Sequence, residues 1–141
     1  AIPFEDQDPH SRRLMAASDH TAFDITPRDI ARSRRAYFAN LSYIDEKIGE
    51  ILQVLENGGM ADDTIVVFVS DHGDMLGERG LWFKMSFFDG SARVPLMISA
   101  PAMQAGRIDA PAPTLDVVPT LADLVGIILA AVQPWTDGAR P

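Results

Sequence analysis

Asp71 and His72 lie side by side just after a strongly apolar run, where a carboxylate and an imidazole could together form a binding site. The run, residues 65–69, is rich in β-branched residues and too short for a typical helix, which predicts a buried strand. In open α/β sheets, ligands bind outside the carboxyl ends of the strands. The alternative is a simple polar turn in which Asp71 binds neighbouring backbone N–H groups.

A lone lysine, Lys84, lies in the glycine-rich loop that leads from this strand to a second apolar run at residues 94–98. It places a positive charge one loop away from Asp71 and His72. Glycines in the loop permit sharp turns and close approach of the backbone to a ligand. Four aromatic residues of the loop are expected to anchor it by burial: Trp82, Phe83, Phe87 and Phe88. The mixture is typical of a rigid site loop.

The elements around this loop indicate an α/β fold. Residues 27–57 are predicted to form a long helix, because Thr26 can cap it, Pro27 suits its first position and an apolar stripe repeats at three- and four-residue steps. The strands near 65–69 and 94–98 are apolar without alternation, which predicts parallel strands covered by helices on both faces.

The ends of the chain carry weaker patterns. Residues 1–25 show no sustained period and are predicted to be an extended surface segment. A short helix is predicted near 116–125, with Asp116 as its cap and Gly126 as its left-handed end. Residues 127–141 are expected to form a tail. One incomplete domain, residues 1–141, is the predicted organisation, with its α/β part at 26–126.

Composition excludes several classes of partner. The 141 residues include 12 Lys and Arg against 20 Asp and Glu, a net charge of −8, which argues against nucleic acid and anionic membranes as partners. No run of about eighteen apolar residues and no signal-peptide pattern are present. We therefore expect a cytoplasmic protein that binds a small molecule, with a homo-oligomer permitted. The absence of cysteine leaves oxygen and imidazole as the available metal ligands.

The order SDHGDMLGERGLWFK followed by FDGSARVPL resembles the sulfatase family of the alkaline phosphatase superfamily. The flanking stretches RRAYFANLSYIDEKIGEIL and LDVVPTLADLVGI resemble the neighbouring helices of the same enzymes. The resemblance runs from about Pro9 to Gly138 and covers only part of such an enzyme. It implies a partial alkaline phosphatase-like fold and a fragment of a sulfuric ester hydrolase catalytic domain.

The resemblance also implies roles for individual residues. Asp71 and His72 would hold a divalent metal, with calcium favoured and magnesium or manganese as alternatives. Lys84 would be catalytic, and Asp74 would lie outside the ligand set. The substrate would be a sulfate monoester, with choline sulfate as the favoured member. The family makes its formylglycine nucleophile from a C/S-x-P-S/A-R motif, which this chain lacks, so the chain alone is expected to be inactive.

Two other functions remain open at this stage. A phosphoesterase or phosphonate monoester hydrolase of the same superfamily would use an Asp-His pair at the same place. A non-catalytic truncated module is the third hypothesis, and its test is whether the chain binds a metal or a sulfate ester.

Other candidate residues are expected to be structural. His10 and His20 are interpreted as exposed loop histidines, and the Ser33-Arg34-Arg35 stretch as a solvated helix face. Arg93 is expected to pair with Asp89 or Glu78, with substrate contact as the alternative.

The two tryptophans offer a further possibility. Trp82 or Trp135 could face a quaternary ammonium group by cation–π attraction. Core packing is the preferred interpretation for Trp82.

Overall fold

The computed structural model describes residues 2–19, 22–101 and 103–127, which form helices and short strands. In chain order the elements are α1 (Pro9–Ala17), α2 (Pro27–Asn57), β1 (Val66–Val69), β2 (Met75–Leu76), β3 (Trp82–Phe83), α3 (Asp89–Ala92), β4 (Leu96–Ser99) and α4 (Val117–Leu124). Single 3₁₀ turns lie at Phe4–Asp6, Ala61–Asp63, Glu78–Gly80 and Thr114–Asp116. Contacts divide the chain into two units, Ala1–Pro101 and Ala102–Pro141.

Helix α2 has the predicted bounds of 27–57, so this prediction is confirmed. A capping box starts it: the Asp29 N–H donates to the Thr26 hydroxyl at 3.3 Å, and the Thr26 N–H donates to the Asp29 carboxylate at 3.1 Å. Pro27 occupies the first turn, where a missing N–H costs no hydrogen bond. None of the 31 residues of α2 is fully buried.

The N-terminal segment contains a helix, so the prediction of an extended segment over residues 1–25 is wrong. Asp8 caps α1 by accepting the N–H groups of His10 and Ser11, each at 3.0 Å, and Pro9 takes the first helical position. This is the same cap-plus-proline signal that starts α2. A helix of nine residues is too short to show a sustained apolar period, and it is held by burial of Met15.

His10 lies on α1 and not on an exposed loop, which corrects its interpretation from sequence. Its ring is partly buried and stacks on Phe87, with 6.3 Å between the ring centroids. His20 lies outside the described residues.

Strands β1 and β4 pair antiparallel, with Val66 opposite Ser99 and Val69 opposite Leu96. The prediction of parallel strands is therefore wrong. A parallel pair needs a crossover connection, usually a helix of some length. Residues 70–95 instead form a hairpin, turns and the four-residue helix α3, and they bring the chain back beside β1 in the opposite direction.

The hairpin of β2 and β3 lies within that connection and covers the buried core of the first unit. Met75 pairs with Phe83, and Leu76 with Trp82. The core cluster consists of Met15 from α1 with Met75 and Leu81 from the hairpin, against which Leu14 and Phe88 pack. Burial therefore fixes the loop against α1.

The second unit contains α4, which confirms the short helix predicted near 116–125. Asp116 is at the N-cap position, but its side chain makes no capping hydrogen bond, so its predicted role is not fulfilled. Gly126 follows the helix with a φ of +72°, as expected for a left-handed end. The predicted tail and Trp135 fall outside the described residues, except for Ile127. No described helix is long and apolar enough to cross a membrane.

Candidate functional site

The end of β1 places Asp71 and His72 together on one short turn. The His72 N–H donates to Asp71 Oδ1 at 3.0 Å, and His72 Nε2 lies 3.5 Å from Asp71 Oδ2. The other ring nitrogen, Nδ1, lies 2.8 Å from the Gly73 carbonyl oxygen. Because a carbonyl only accepts hydrogen bonds, Nδ1 carries a proton, and in the neutral form of the ring the lone pair is then on Nε2, beside the carboxylate.

This arrangement fits two neighbouring ligands of one metal ion. Two ligands at right angles around a hard cation, each about 2.3 Å from it, are roughly 3.3 Å apart. The 3.5 Å between His72 Nε2 and Asp71 Oδ2 is close to that spacing. The Asp71 side chain is 83% exposed, so one face of its carboxylate is open.

The chain supplies only part of such a site. Within residues 2–19, 22–101 and 103–127, no group of three or more His, Cys, Asp or Glu side chains could hold a metal ion. Asp74 lies partly buried just before β2. Further oxygen ligands are needed for a cation that takes six or more.

Lys84 follows β3 with its side chain exposed. Its backbone carbonyl accepts the Ser86 N–H at 2.6 Å and also the hydroxyl of Ser91. In the part of the chain that the structure describes, no carboxylate forms an ion pair with the Lys84 ammonium. The ammonium is therefore available to a ligand.

Two contacts bring the lysine segment to the Asp71 turn. Ser91 donates its hydroxyl to the Lys84 carbonyl, and the Ser91 carbonyl accepts the Gly73 N–H at 2.7 Å. Gly73 must be glycine for this approach, because a Cβ at this position would overlap the carbonyl of Gly90. Through Ser91, the backbone of Lys84 is therefore joined to the turn of Asp71 and His72 in one cluster of segments, at the end of β1 that pairs with the start of β4.

A clamp between α2 and the hairpin supports the loop, and sequence reasoning missed it. Arg34 donates from Nε to the Leu76 carbonyl at 3.0 Å and from a terminal nitrogen to Glu78 at 2.8 Å. Glu78 in turn accepts the Leu76 N–H at 2.6 Å. Arg34 is thus not simply part of a solvated face. Its position between Ile30 and Tyr37 on the apolar stripe is the signal that could have found it.

The clamp affects the ionisation of Glu78. Partial burial opposes the charged form, but the Leu76 N–H and the Arg34 charge outweigh it and hold the pKa of Glu78 below its usual value. Glu78 therefore pairs with Arg34 and not with Arg93, which corrects one of the two pairings expected for Arg93. No ion pair between Arg93 and Asp89 forms among the described side chains.

The aromatic residues of the loop behave differently from one another. Phe88 packs on the core, whereas Phe83 is 60% and Phe87 is 90% exposed, so the expected burial of these two is wrong. Trp82 is partly buried and lines an apolar groove with Phe23 and Ile25. Trp82 is therefore neither fully packed in the core nor fully exposed.

Comparison with known proteins gives consistent matches. The family model described as Sulfatase matches residues 4–127. The choline-sulfatase of Rhizobium meliloti (strain 1021) is 61% identical over 138 residues, which cover 98% of this chain and 27% of that enzyme. The human (Homo sapiens) iduronate 2-sulfatase is 42% identical over 98 residues, 69% of this chain and 18% of that enzyme.

Solved structures agree on the fold. The phosphonate monoester hydrolase SpPMH from Silicibacter pomeroyi matches with a TM-score of 0.71 and 33% identity, over 87% of this chain and 24% of that one. The protein BT4656, solved with its substrate D-glucosamine-2-N,6-O-disulfate, matches with a TM-score of 0.66 and 28% identity, over 89% of this chain and 28% of that one. These matches confirm the predicted fold class. The chain spans about a quarter of the length of these proteins.

Proposed function

The chain belongs to the sulfatase family, and on this basis we propose that it forms part of a sulfuric ester hydrolase that cleaves a small sulfate monoester. The observation that carries the proposal is the cluster in which the Asp71 and His72 pair is tied to the Lys84 segment through Ser91. The 61% identity to a choline-sulfatase supports choline sulfate as the substrate.

Asp71 and His72 are the proposed metal ligands, through Asp71 Oδ2 and His72 Nε2. When bound, a divalent cation would neutralise charge on the sulfuryl oxygens and on the nucleophile. Calcium is the favoured ion because the ligands of such a site are mostly carboxylate oxygens, with magnesium and manganese as alternatives. The hydrogen bond from Nδ1 to the Gly73 carbonyl keeps the ring oriented and its Nε2 lone pair free.

Lys84 is the proposed catalytic residue. Its ammonium would donate to the bridging ester oxygen, which gains negative charge as the sulfur–oxygen bond breaks. The interaction is stronger in the transition state than with the bound ester, so it accelerates the reaction and does not merely tighten binding. One well-placed donor of this kind contributes about 3–4 kcal/mol.

The nucleophile is proposed to lie in a longer protein of which this chain is a part. The chain contains no C/S-x-P-S/A-R motif from which formylglycine could be made. The relatives are about four times as long as this chain, which leaves room for the motif and for further metal ligands.

A phosphonate monoester hydrolase is the second candidate function. It is supported by the structural match to the enzyme from Silicibacter pomeroyi. The same cluster could serve either reaction, since both esters place a charged tetrahedral centre beside the metal and a leaving oxygen beside a cation.

A chimera tests the proposal directly. In it, this chain replaces the matching 27% of the Rhizobium meliloti choline-sulfatase, and turnover of choline sulfate is measured with calcium or manganese present. We expect an active, metal-dependent enzyme. A Lys84→Ala variant should lose at least a hundredfold in kcat with its metal content unchanged, whereas Asp71→Ala should lose both.

Two results would count against the proposal. A folded, metal-loaded chimera without sulfatase activity would show that this chain does not supply a working part of the site. A shift toward phosphonate monoesters, relative to the parent choline-sulfatase, would favour the second candidate because only this chain was exchanged.

A further inference from the structure

Ser91 contacts both halves of the candidate site through two different groups. Its backbone carbonyl accepts the N–H of Gly73 at 2.7 Å, next to Asp71 and His72. Its hydroxyl donates to the carbonyl of Lys84. Ser91 is only 2% exposed. Water therefore does not compete for these bonds, and each of them constrains the segment it holds.

We propose that Ser91 is a positioning residue that sets the location of the Lys84 ammonium relative to Asp71 and His72. The inference rests on the proposed function, because it assumes that Lys84 acts on the leaving oxygen of an ester bound at the metal site of Asp71 and His72. The buried Ser91 would thus affect catalysis indirectly, through Lys84.

The lysine side of this link depends on outside support. Phe83, the residue before Lys84, has a φ of +65°, a conformation that a bulky residue adopts only when its surroundings hold it there. The Lys84 carbonyl receives two donors, the Ser86 N–H and the Ser91 hydroxyl. Without the hydroxyl, one local hydrogen bond is left to hold this carbonyl.

The other side of the link is rigid. Ser91 lies in α3, where its own N–H donates to the Phe88 carbonyl at 2.8 Å, and Phe88 packs on the core cluster. Gly73 approaches the backbone of Gly90 so closely that a Cβ would not fit. The Asp71 turn and α3 therefore form a fixed base, and the Ser91 hydroxyl connects the Lys84 segment to it.

Positioning of this kind has a specific kinetic consequence. A displacement of about 1 Å can cost roughly a hundredfold in rate when a group must reach a reacting atom. Loss of the Ser91 hydroxyl should weaken the assistance that Lys84 gives to the leaving oxygen. The hydrogen bond from the Gly73 N–H to the Ser91 carbonyl should remain, and Asp71 and His72 should stay in place. Esters that need this assistance most should lose the most.

The test uses the chimera and two aryl sulfates that differ only in the leaving group. The nitro group of 4-nitrophenyl sulfate disperses charge on the leaving oxygen, whereas phenyl sulfate depends more on Lys84. For Ser91→Ala we expect the ratio of kcat/KM, 4-nitrophenyl over phenyl, to rise about threefold to tenfold, with metal content unchanged. A loss of folded protein alone would lower both rates equally and leave this ratio fixed.

Controls separate the possible causes. Ser42→Ala removes a hydroxyl that donates to the Phe38 carbonyl within α2, and it should leave the ratio unchanged. Lys84→Ala should raise the ratio more than Ser91→Ala does. Adding Ser91→Ala to Lys84→Ala should raise it no further, since the hydroxyl then has no lysine to position. Ser91→Cys, with a weaker donor, should show a smaller rise and serves if Ser91→Ala does not fold.

The outcomes distinguish this inference from the function on which it rests. A ratio raised by Lys84→Ala but unchanged by Ser91→Ala and Ser91→Cys would overturn the role of Ser91 alone. A ratio unaffected by Lys84→Ala would overturn the role of the lysine, and the inference with it. A rise from Ser91→Ala that persists in the Lys84→Ala background would show that Ser91 acts by another route.

Discussion

Asp71 uses its two carboxylate oxygens differently, and this leaves room for both of the roles weighed for it from sequence. Oδ1 accepts the N–H of His72, as in a simple polar turn, while Oδ2 faces His72 Nε2. The first contact fixes the carboxylate, and the second leaves a pair of ligand atoms side by side. A local hydrogen bond and a metal-binding role are therefore compatible for Asp71.

The first prediction concerns the glycine after this pair. Gly73→Ala should lower the free energy of unfolding by about 1–3 kcal/mol and weaken metal binding, because the added Cβ would push the turn away from Gly90. Thermal unfolding of the chimera and metal titration measure the two effects.

Gly49→Ala is the matched control. Gly49 lies within α2, and a Cβ there would meet nothing within 4 Å. The exchange should raise the free energy of unfolding by about 1 kcal/mol, since alanine favours a helix. If both variants changed stability in the same direction, the close approach at Gly73 would not be the cause of its effect.

The candidate site residues could be singled out from sequence, whereas the contacts that hold them in place could not. Asp71 and His72 are signalled by their place after an apolar run, and Lys84 by its isolation in a glycine-rich loop. The contacts of Arg34 and Ser91 are mostly with backbone groups of other segments, Leu76 being 42 positions from Arg34. No local pattern of residue types reports a contact of that kind.

At the scale of elements, α2 and the β2–β3 hairpin are joined by polar contacts as well as by packing. Arg34 bridges the Leu76 carbonyl and the Glu78 carboxylate, and Ile30 lies against Gly77 of the same turn. The long helix thus supports the loop that carries Lys84. An exposed ion pair contributes little by itself, but this one is combined with hydrogen bonds to the backbone.

The second prediction is a measurable coupling across this clamp. A double-mutant cycle with Arg34→Ala and Glu78→Ala should give a coupling energy of about 0.5–1 kcal/mol, reduced by added salt. The control cycle uses Lys47 and Glu50, an exposed pair within α2, for which we expect about 0.2–0.5 kcal/mol. Equal couplings in the two cycles would mean that the Arg34–Glu78 pair stabilises the protein no more than an exposed pair within one helix.

The third prediction concerns α1 and pH. The Ser11 hydroxyl and N–H groups that donate to Asp8 lower its pKa from 3.8 to about 2. Because the folded state holds the charged form, the stability from this cap is present above about pH 4 and is lost as the pH falls toward 2. Thermal unfolding of the chimera between pH 6 and pH 3 should show this loss of stability.

Asp8→Asn is the comparison for this effect. Asparagine still caps the helix but does not ionise, so the melting temperature of this variant should fall less steeply with acid than that of the parent. Parallel curves for the two proteins would contradict the assigned role of the Asp8 charge.

The bounds of α2 were predicted correctly because the chain carries both a cap and a long period there. Helix α2 has both, whereas α1 has the cap and the proline but only nine residues. The direction of β4 could not be inferred, because the composition of a strand does not encode its direction. The path of residues 70–95 decides it, and this path depends on packing against α1 and α2.

At the scale of the whole molecule, much apolar surface remains exposed. Several apolar side chains of α2 are more than a third exposed, among them Phe38, Ile44 and Ile51. In the described residues, β1 and β4 pair only with each other, which leaves an outer edge on each strand. Exposed apolar faces and free strand edges favour association.

The fourth prediction is that the isolated 141-residue chain associates and has no sulfatase activity. Its described residues offer Asp71 and His72 without a third such ligand to a cation that takes six or more, and its sequence has no nucleophile motif. Size-exclusion chromatography and assays with choline sulfate and an aryl sulfate measure the two properties. Metal-dependent turnover above that of a Lys84→Ala control would require a nucleophile within this chain.

The central claim is that Asp71 and His72 bind the metal of a sulfatase site, and anomalous diffraction from crystals of the manganese-loaded chimera tests it most directly. We expect a manganese peak within about 2.0–2.6 Å of an Asp71 carboxylate oxygen and of His72 Nε2. The Lys84 ammonium should lie nearby without contacting the ion. A fully occupied manganese site that includes neither Asp71 nor His72 would contradict the claim.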